Sequence, residues 1–203
     1  MKPAYIVLEG GEGSGKSTQA EDLARRLDAV LTREPGGTAT GTWIRDLLLD
    51  PTAVIDNRTE ALMMTADRAQ HFAEVVLPTL ESGRHVVSDR GSHSTLAYQG
   101  YGRGLSVDDL RGLCDWAMRG HWPDLVLVLD LPVDIGLQRL AAGPDRVEGA
   151  GHDFHERVRA GFIEMAMAEP DRFVVIDATA TAAAMSAEIG RSVVERLGID
   201  LRD

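Results

Sequence analysis

One decapeptide limits this chain more than any other feature. Residues 9–18 read EGGEGSGKST and follow an apolar β-type run, Ala4–Glu9 (AYIVLE), without a break. Gly10, four further residues, then Gly15-Lys16-Ser17 match a phosphate-binding loop in its required setting of strand, loop and helix. The residue types follow from the chemistry. At Gly10, Gly11, Gly13 and Gly15 the absent side chains let backbone N–H groups turn inward around phosphate oxygens, with Ser14 among them, and the next helix adds its positive end. Lys16 can bridge the β- and γ-phosphates and the Ser17 hydroxyl can ligate Mg²⁺, with Thr18 just behind them. The only other lysine is Lys2, so a lysine at position 16 stands out in a chain that otherwise carries its positive charge on arginine. The loop implies a nucleoside triphosphate.

The surrounding pattern is that of one α/β domain spanning 1–203. Short, continuously apolar runs at Ala4–Glu9, Ala29–Thr32, His85–Ser88, Leu125–Asp130 and Phe173–Ile176 are strand candidates, and such runs suit strands covered on both faces of a parallel sheet. Between them lie helical patterns at about 15–28, 40–49, 58–82, 106–118, 133–142, 152–168 and 180–197. Alternation of this kind predicts a doubly wound sheet of five parallel strands with helices on both faces and ligands at the strands' carboxyl ends. A net charge of −11 argues against general binding to nucleic acid or an anionic membrane. Cys114 is alone, so no internal disulfide is available, and its flanks Leu113 and Trp116 read as those of an inert buried thiol. The longest apolar run, Leu125 to Leu129, is far too short to span a bilayer, and Glu9 interrupts the first apolar segment where a leader would need to continue. The expected location is cytoplasmic.

No Asn-Lys-x-Asp base reader of a GTPase occurs, since the only asparagine, Asn57, precedes Arg58. A small kinase acting on a metabolite is the class that remains. Three more segments set arginine near strand ends or on the long helix: LTREPGG (31–37), VVSDRGSHSTLAYQG (86–100) and TADRAQH (65–71).

Taken with the loop, these segments resemble the thymidylate kinase family of P-loop nucleoside monophosphate kinases. EGGEGSGKST, TREPGGT, IRDLLL, ADRAQH, SDR, AYQGYGRG, PDLVLVLD and DRVE occur in that family's order and cover nearly the whole chain. The resemblance implies transfer of the γ-phosphoryl group of MgATP to dTMP by a homodimer. It further implies that Arg68 and Arg90 hold the acceptor phosphate, that Arg45 also reaches it, and that Arg33 and Glu34 shape its pocket. Guanidinium forks suit a phosphate dianion. By the same resemblance Asp89 organises Mg²⁺, Glu12 lies near the transferring group and the sugar, Ser94, Thr95 and Gln99 address the base, and Tyr98 faces the deoxyribose. His71 is expected to be structural.

The phosphate loop contains no arginine, which resembles the bacterial branch in which a mobile lid supplies a transition-state arginine. That lid would be AAGPDRVEGAGHD (141–153), with Arg146 in the role and Arg139 on the preceding helix in support. Two positions depart from the family. Gly91 follows Asp89-Arg90 where an aromatic or histidine is common, which implies a looser backbone and a smaller pocket wall. Met64 stands where most relatives have a phenylalanine on the base. On a helix Met64 and Arg68 are about 6 Å apart on one face, so Arg68 is expected at the phosphate and Met64 under the base. The weaker base platform leaves open a kinase for another deoxynucleoside monophosphate such as dUMP. The sparse lid leaves open a catalytically weak, ATP-binding regulatory protein. If Arg146 acts as a transition-state arginine, Arg146→Ala lowers kcat by about 100-fold or more in a steady-state assay.

Overall fold

The computed structural model describes residues 2–140 and 145–202. Strands β1 (Tyr5–Gly10), β2 (Val30–Arg33), β3 (Val86–Asp89), β4 (Leu125–Asp130) and β5 (Phe173–Asp177) form one parallel sheet in the order β2-β3-β1-β4-β5. The central strand, β1, is buried along its whole length. The sheet is the α/β arrangement expected from the alternating pattern.

Strand alternation decides which residues build each layer. Ile6, Leu8, Leu125, Leu127 and Leu129 face one side, against Leu23 of α1 (Lys16–Leu27) and Met185, Ile189 and Val193 of α9 (Ala182–Leu197). Val126 and Val128 point the other way, toward Phe154, Val158 and Phe162 of α8 (His152–Ala168). On that second side Tyr5 and Val7 meet Phe72, Cys114 and Met118. Complete burial of side chains such as these is worth roughly 1.5–3 kcal/mol each.

Along one edge of the acceptor-side layer run α2 (Ala39–Leu49), α3 (Asn57–His71) and α6 (Val107–Met118). Asp56 caps α3 by accepting from the N–H groups of Arg58 and Thr59. The long helix expected over 58–82 is interrupted: Phe72–Val76 is π-helical before α4 (Leu77–Glu81) resumes. The change of register sits just before Pro78, which has no N–H to donate. The helix expected over 133–142 is shorter, α7 (Val133–Gln138), and residues 141–144 lie outside the described residues.

One helical segment was not expected. After β3 the chain forms α5 (Ser92–Thr95) and passes directly into a π-helical stretch, Leu96–Gly102. Serine, threonine and two glycines give this sequence poor helix propensity. Packing overrides it: Leu96, Ala97 and Tyr98 are buried in the same cluster as Phe154 and Phe162.

Two glycines let α7 come in under the phosphate loop. A side chain on Gly13 would overlap the carbonyl of Gly136, and one on Gly136 would overlap the carbonyl of Glu12. Gly136→Ala is therefore expected to displace the loop and raise KM for ATP at least about tenfold, measured by initial rates. Gly112, exposed within α6 with open space around it, provides the contrast. Gly112→Ala is expected to raise thermal stability by about 0.5–1 kcal/mol, because only backbone entropy changes there.

Candidate active site

The turn from β1 into α1 places its functional atoms at the carboxyl edge of the sheet. Gly15, in the left-handed region at φ 87°, is the N-cap of α1. Lys16 Nζ donates to the Gly11 carbonyl at 2.6 Å and to Ser14 Oγ at 3.2 Å. Burial, and then the nearby charge of Arg90, lower its pKa to about 8. Arg139, just past α7, donates from Nη1 to the Gly13 carbonyl at 3.1 Å. The Ser17 hydroxyl donates to Asp89 Oδ2, at the end of β3, at 2.5 Å. A hydroxyl beside a carboxylate is an oxygen pair suited to Mg²⁺, which keeps water and phosphate oxygens for its other positions. No cluster of three or more metal-binding side chains occurs among the described residues, so a cation at Ser17 and Asp89 would depend on the nucleotide's own oxygens.

Beside this turn lies a polar cavity lined by Lys16, Ser17, Arg33, Arg45, Asp89 and Arg90, together with Glu12 and Glu34. Arg45 donates to the Pro35 carbonyl at 2.9 Å, and its pKa is lowered by burial and by the like charges of Arg33 and Arg90. Four basic groups held this close favour an anion among them. The cavity adjoins a deeper one of about 150 Å³, and the two share Glu12, Glu34, Arg45 and Arg90. The deeper end is walled by Met64, Arg68, Thr95, Tyr98 and Gln99.

Glu12 and Arg90 join the two cavities. Arg90 Nη2 donates to Glu12 Oε1 at 2.6 Å, and its Nη1 reaches the Gly10 carbonyl at 3.1 Å. The Tyr98 hydroxyl donates to the same Glu12 oxygen at 2.7 Å, and the Arg90 guanidinium lies 4.9 Å from the centre of the Tyr98 ring. Burial alone would raise Glu12, but Arg90 and Lys16 hold it down at about 2, so it stays ionised.

Several residues sit differently from their expected places. Arg68 is 2% exposed and its guanidinium is turned into the protein. It donates to Glu34 Oε2 at 2.8 Å, to Thr95 Oγ1 at 3.0 Å, to the Gly91 carbonyl at 3.0 Å and to Cys114 Sγ at 3.2 Å. It borders only the deeper cavity, beside Met64, Arg45 and Arg90, whereas Arg33, Arg45 and Arg90 line the polar one. Arg146 is engaged by α2 and α3, with Nε on the Leu48 carbonyl at 2.7 Å and Nη1 on Glu60 Oε2 at 2.6 Å. The first four residues of the expected lid, 141–144, fall outside the described residues; Glu148–Ala150 is a short 3₁₀ turn leading to α8. Gly91 is extended and packed against Val7, with its N–H and C=O both engaged, and the positive φ of 70° belongs to Arg90. The backbone at 91 is thus held firmly. Ser94, Thr95 and Gln99 do border the deeper cavity, but they bond inward to Glu9, Arg68 and Glu60 respectively. His71 bridges Glu34 and Thr32, as a structural histidine does. Cys114 is fully buried, and burial raises its thiol.

Glu9, Glu60 and Asp67 take part without having been singled out in the sequence. Glu9 is a carboxylate on a strand covered on both faces, and that placement alone is a signal, because an unpaired buried charge is costly. It accepts from the N–H groups of Gly91 and Ser94 at 3.0 and 2.9 Å and from the Ser94 hydroxyl at 2.6 Å. Burial nevertheless pushes its pKa up to about 7. A raised carboxylate pKa means that the folded chain binds the extra proton, so this contribution to stability is complete below about pH 4.5 and is lost as pH rises through 7. Glu9→Gln, which cannot ionise, is expected to gain in Tm relative to the parent chain between pH 5 and pH 8. A Tm difference that stays constant over that range would show that Glu9 does not titrate there.

The geometry is that of a triphosphate-binding turn opening onto an arginine-lined acceptor cavity, and comparison with known proteins agrees with it. The thymidylate kinase family model matches residues 8–189. The thymidylate kinase of Halothermothrix orenii is 48% identical over 188 residues, covering 88% of this chain and 90% of its own. That of Deinococcus radiodurans is 48% identical over 199 residues, covering 95% and 97%. The crystal structure of thymidylate kinase from Ehrlichia chaffeensis superposes with a TM-score of 0.79 at 32% identity, covering 95% of this chain and 99% of that one. With its phosphate loop, Arg90 and acceptor cavity on a five-stranded parallel sheet, the chain belongs to the thymidylate kinase family, enzymes that phosphorylate dTMP with ATP.

Proposed function

We propose that this chain transfers the γ-phosphoryl group of MgATP to the phosphate of dTMP through the junction of its two cavities, and that it works in the cytoplasm as a homodimer. The observation that carries the reading is that junction: Lys16, Ser17 and Asp89 lie on one side, Met64 and Tyr98 on the other, and Glu12, Arg45 and Arg90 border both. Phosphoryl transfer of this kind is mostly positioning and charge neutralisation. The acceptor phosphate is already a nucleophile at neutral pH, so none of the buried histidines needs to serve as a base.

Gly10 to Thr18 and Arg139 hold the donor, with Lys16 against its β- and γ-phosphates. Ser17 and Asp89 hold Mg²⁺, which supplies charge neutralisation between the phosphates when bound. Arg33, Arg45 and Arg90 hold the acceptor phosphate, and Glu12 keeps the Arg90 fork aimed. Tyr98, pinned by Glu12 and Arg90, takes the sugar. Met64 covers the base, and Thr95, Gln99 and Arg68 close the cavity's inner end, where Glu34 and Thr95 keep the Arg68 side chain from moving. The dimer is supported by Trp43 and Leu47 on α2, Leu62 on α3 and Trp116 on α6, which are large, apolar and exposed on neighbouring helices. No helix among the described residues is long and apolar enough to cross a membrane.

Initial rates at saturating MgATP with dTMP, dUMP, dCMP and dGMP test the acceptor. The expected result is highest kcat/KM with dTMP and loss of turnover in Lys16→Ala; another monophosphate ahead of dTMP overturns the choice. Met64→Phe is expected to lower KM for dTMP and to leave KM for ATP unchanged.

A further inference from the structure

Glu60 is a charged side chain with no solvent exposure, and no step of the phosphoryl transfer uses it. It lies in the first turn of α3, where the positive end of the helix favours a carboxylate. Three residues from elsewhere in the chain converge on it. Gln99 Nε2 donates to Oε1 at 2.7 Å, Arg146 Nη1 donates to Oε2 at 2.6 Å, and Arg103 reaches both oxygens at 3.4 and 3.3 Å. Burial would raise the Glu60 pKa, but hydrogen bonds from Gln99 and Arg146 and the charge of Arg103 take it below the usual carboxylate range.

Two of these partners belong to separate segments that line the acceptor cavity. Gln99 borders it directly, and Arg146 lies within the turn whose neighbours Asp145, Val147 and Glu148 border it. That turn is organised internally by Asp145, which accepts from the N–H groups of Val147 and Glu148 at 2.8 Å each. Its attachment to the rest of the site runs largely through Arg146: the backbone N–H to the Leu49 carbonyl at 3.3 Å, Nε to the Leu48 carbonyl, and Nη1 to Glu60. A buried carboxylate between two arginines adds little stability over apolar packing of the same volume, since desolvation offsets most of the attraction. It does impose direction, because each hydrogen bond requires a set distance and angle.

We propose that Glu60 is a positioning residue for the acceptor, holding the Arg146 turn and the Gln99 side of the cavity at one fixed separation. Arg146 is then an anchor in the cavity wall and not a group that reaches the transferring phosphoryl. The inference rests on the proposed acceptor reading, and its effect is confined to the acceptor side because none of the atoms involved borders the phosphate loop.

Steady-state kinetics of Glu60→Gln, Arg146→Ala and the double variant test this. Each single variant is expected to raise KM for dTMP about tenfold or more, with kcat and KM for ATP within about threefold of the parent chain. The double variant is expected to be no worse than the weaker single one, because both changes break the same link. Amide hydrogen exchange at Arg146 is expected to quicken in Glu60→Gln. A fall in kcat of about 100-fold in Arg146→Ala with KM for dTMP unchanged overturns the proposal in favour of a transition-state arginine. A lowered Tm with both KM values unchanged overturns it in favour of a purely structural role. If Glu60→Gln does not fold, Arg146→Ala cuts the other end of the link and decides between the same results. Turnover of dTMP by the parent chain tests the function, and the KM ratio between variant and parent tests the wall, so the two fail separately.

Discussion

The ion pair between Glu12 and Arg90 ties the phosphate loop on β1 to the end of β3, and the site takes its shape from that tie. Arg90 has a backbone φ of 70°, a conformation that few residues other than glycine adopt, and tertiary contacts hold it there. Its fork reaches Glu12 and the Gly10 carbonyl, and the Glu9 carboxylate beneath fixes the turn that follows. Tyr98 enters through the same Glu12 oxygen. A loop built for donor phosphates and a cavity built for an acceptor are therefore set relative to each other by a few charged groups with little freedom to move.

The arginines divide into two sets with different physics. Arg33, Arg45 and Arg90 crowd around a polar cavity, and mutual repulsion, added to burial, lowers the pKa of Arg45. Such a group is poised for an anion. Arg68 and Arg146 are already paired, with Glu34 at 2.8 Å and Glu60 at 2.6 Å, and both are nearly enclosed. Each is held by its carboxylate, although Arg146 Nη2 is buried without a hydrogen-bond partner among the described residues. Arg90 stands between the two sets, since it lines the polar cavity and is also paired with Glu12 at 2.6 Å.

Much of this was legible in the sequence. Apolar runs marked all five strands; the central β1 and β4 are covered on both faces, whereas the edge strands β2 and β5 leave residues such as Leu31 and Val175 exposed. Glycine spacing located the phosphate loop, since only backbone N–H groups free of side chains can line a phosphate. Glu34, Arg45, Met64, Ser94, Thr95, Tyr98 and Gln99, far apart in sequence, line one cavity together. The helix at 92–102 was not legible, because its serines, threonine and glycines oppose a helix locally and only burial against α8 makes one. The directions of Arg68 and Arg146 were not legible either. A side chain of that length can point toward a ligand or into the protein, and sequence spacing does not distinguish the two.

By itself the sequence determined the layered α/β fold, the triphosphate turn and the family, since each depends on local patterns: periodicity, glycine spacing and short motifs. Only the tertiary structure decided which charges meet. Glu9 with Gly91 and Ser94, Glu12 with Arg90, Glu34 with Arg68, and Glu60 with Arg146 are pairings between residues 34 to 86 positions apart. The choice of carboxylate for Arg68, Arg90 and Arg146 is made by electrostatics and burial in the folded chain, where unpaired charge is costly.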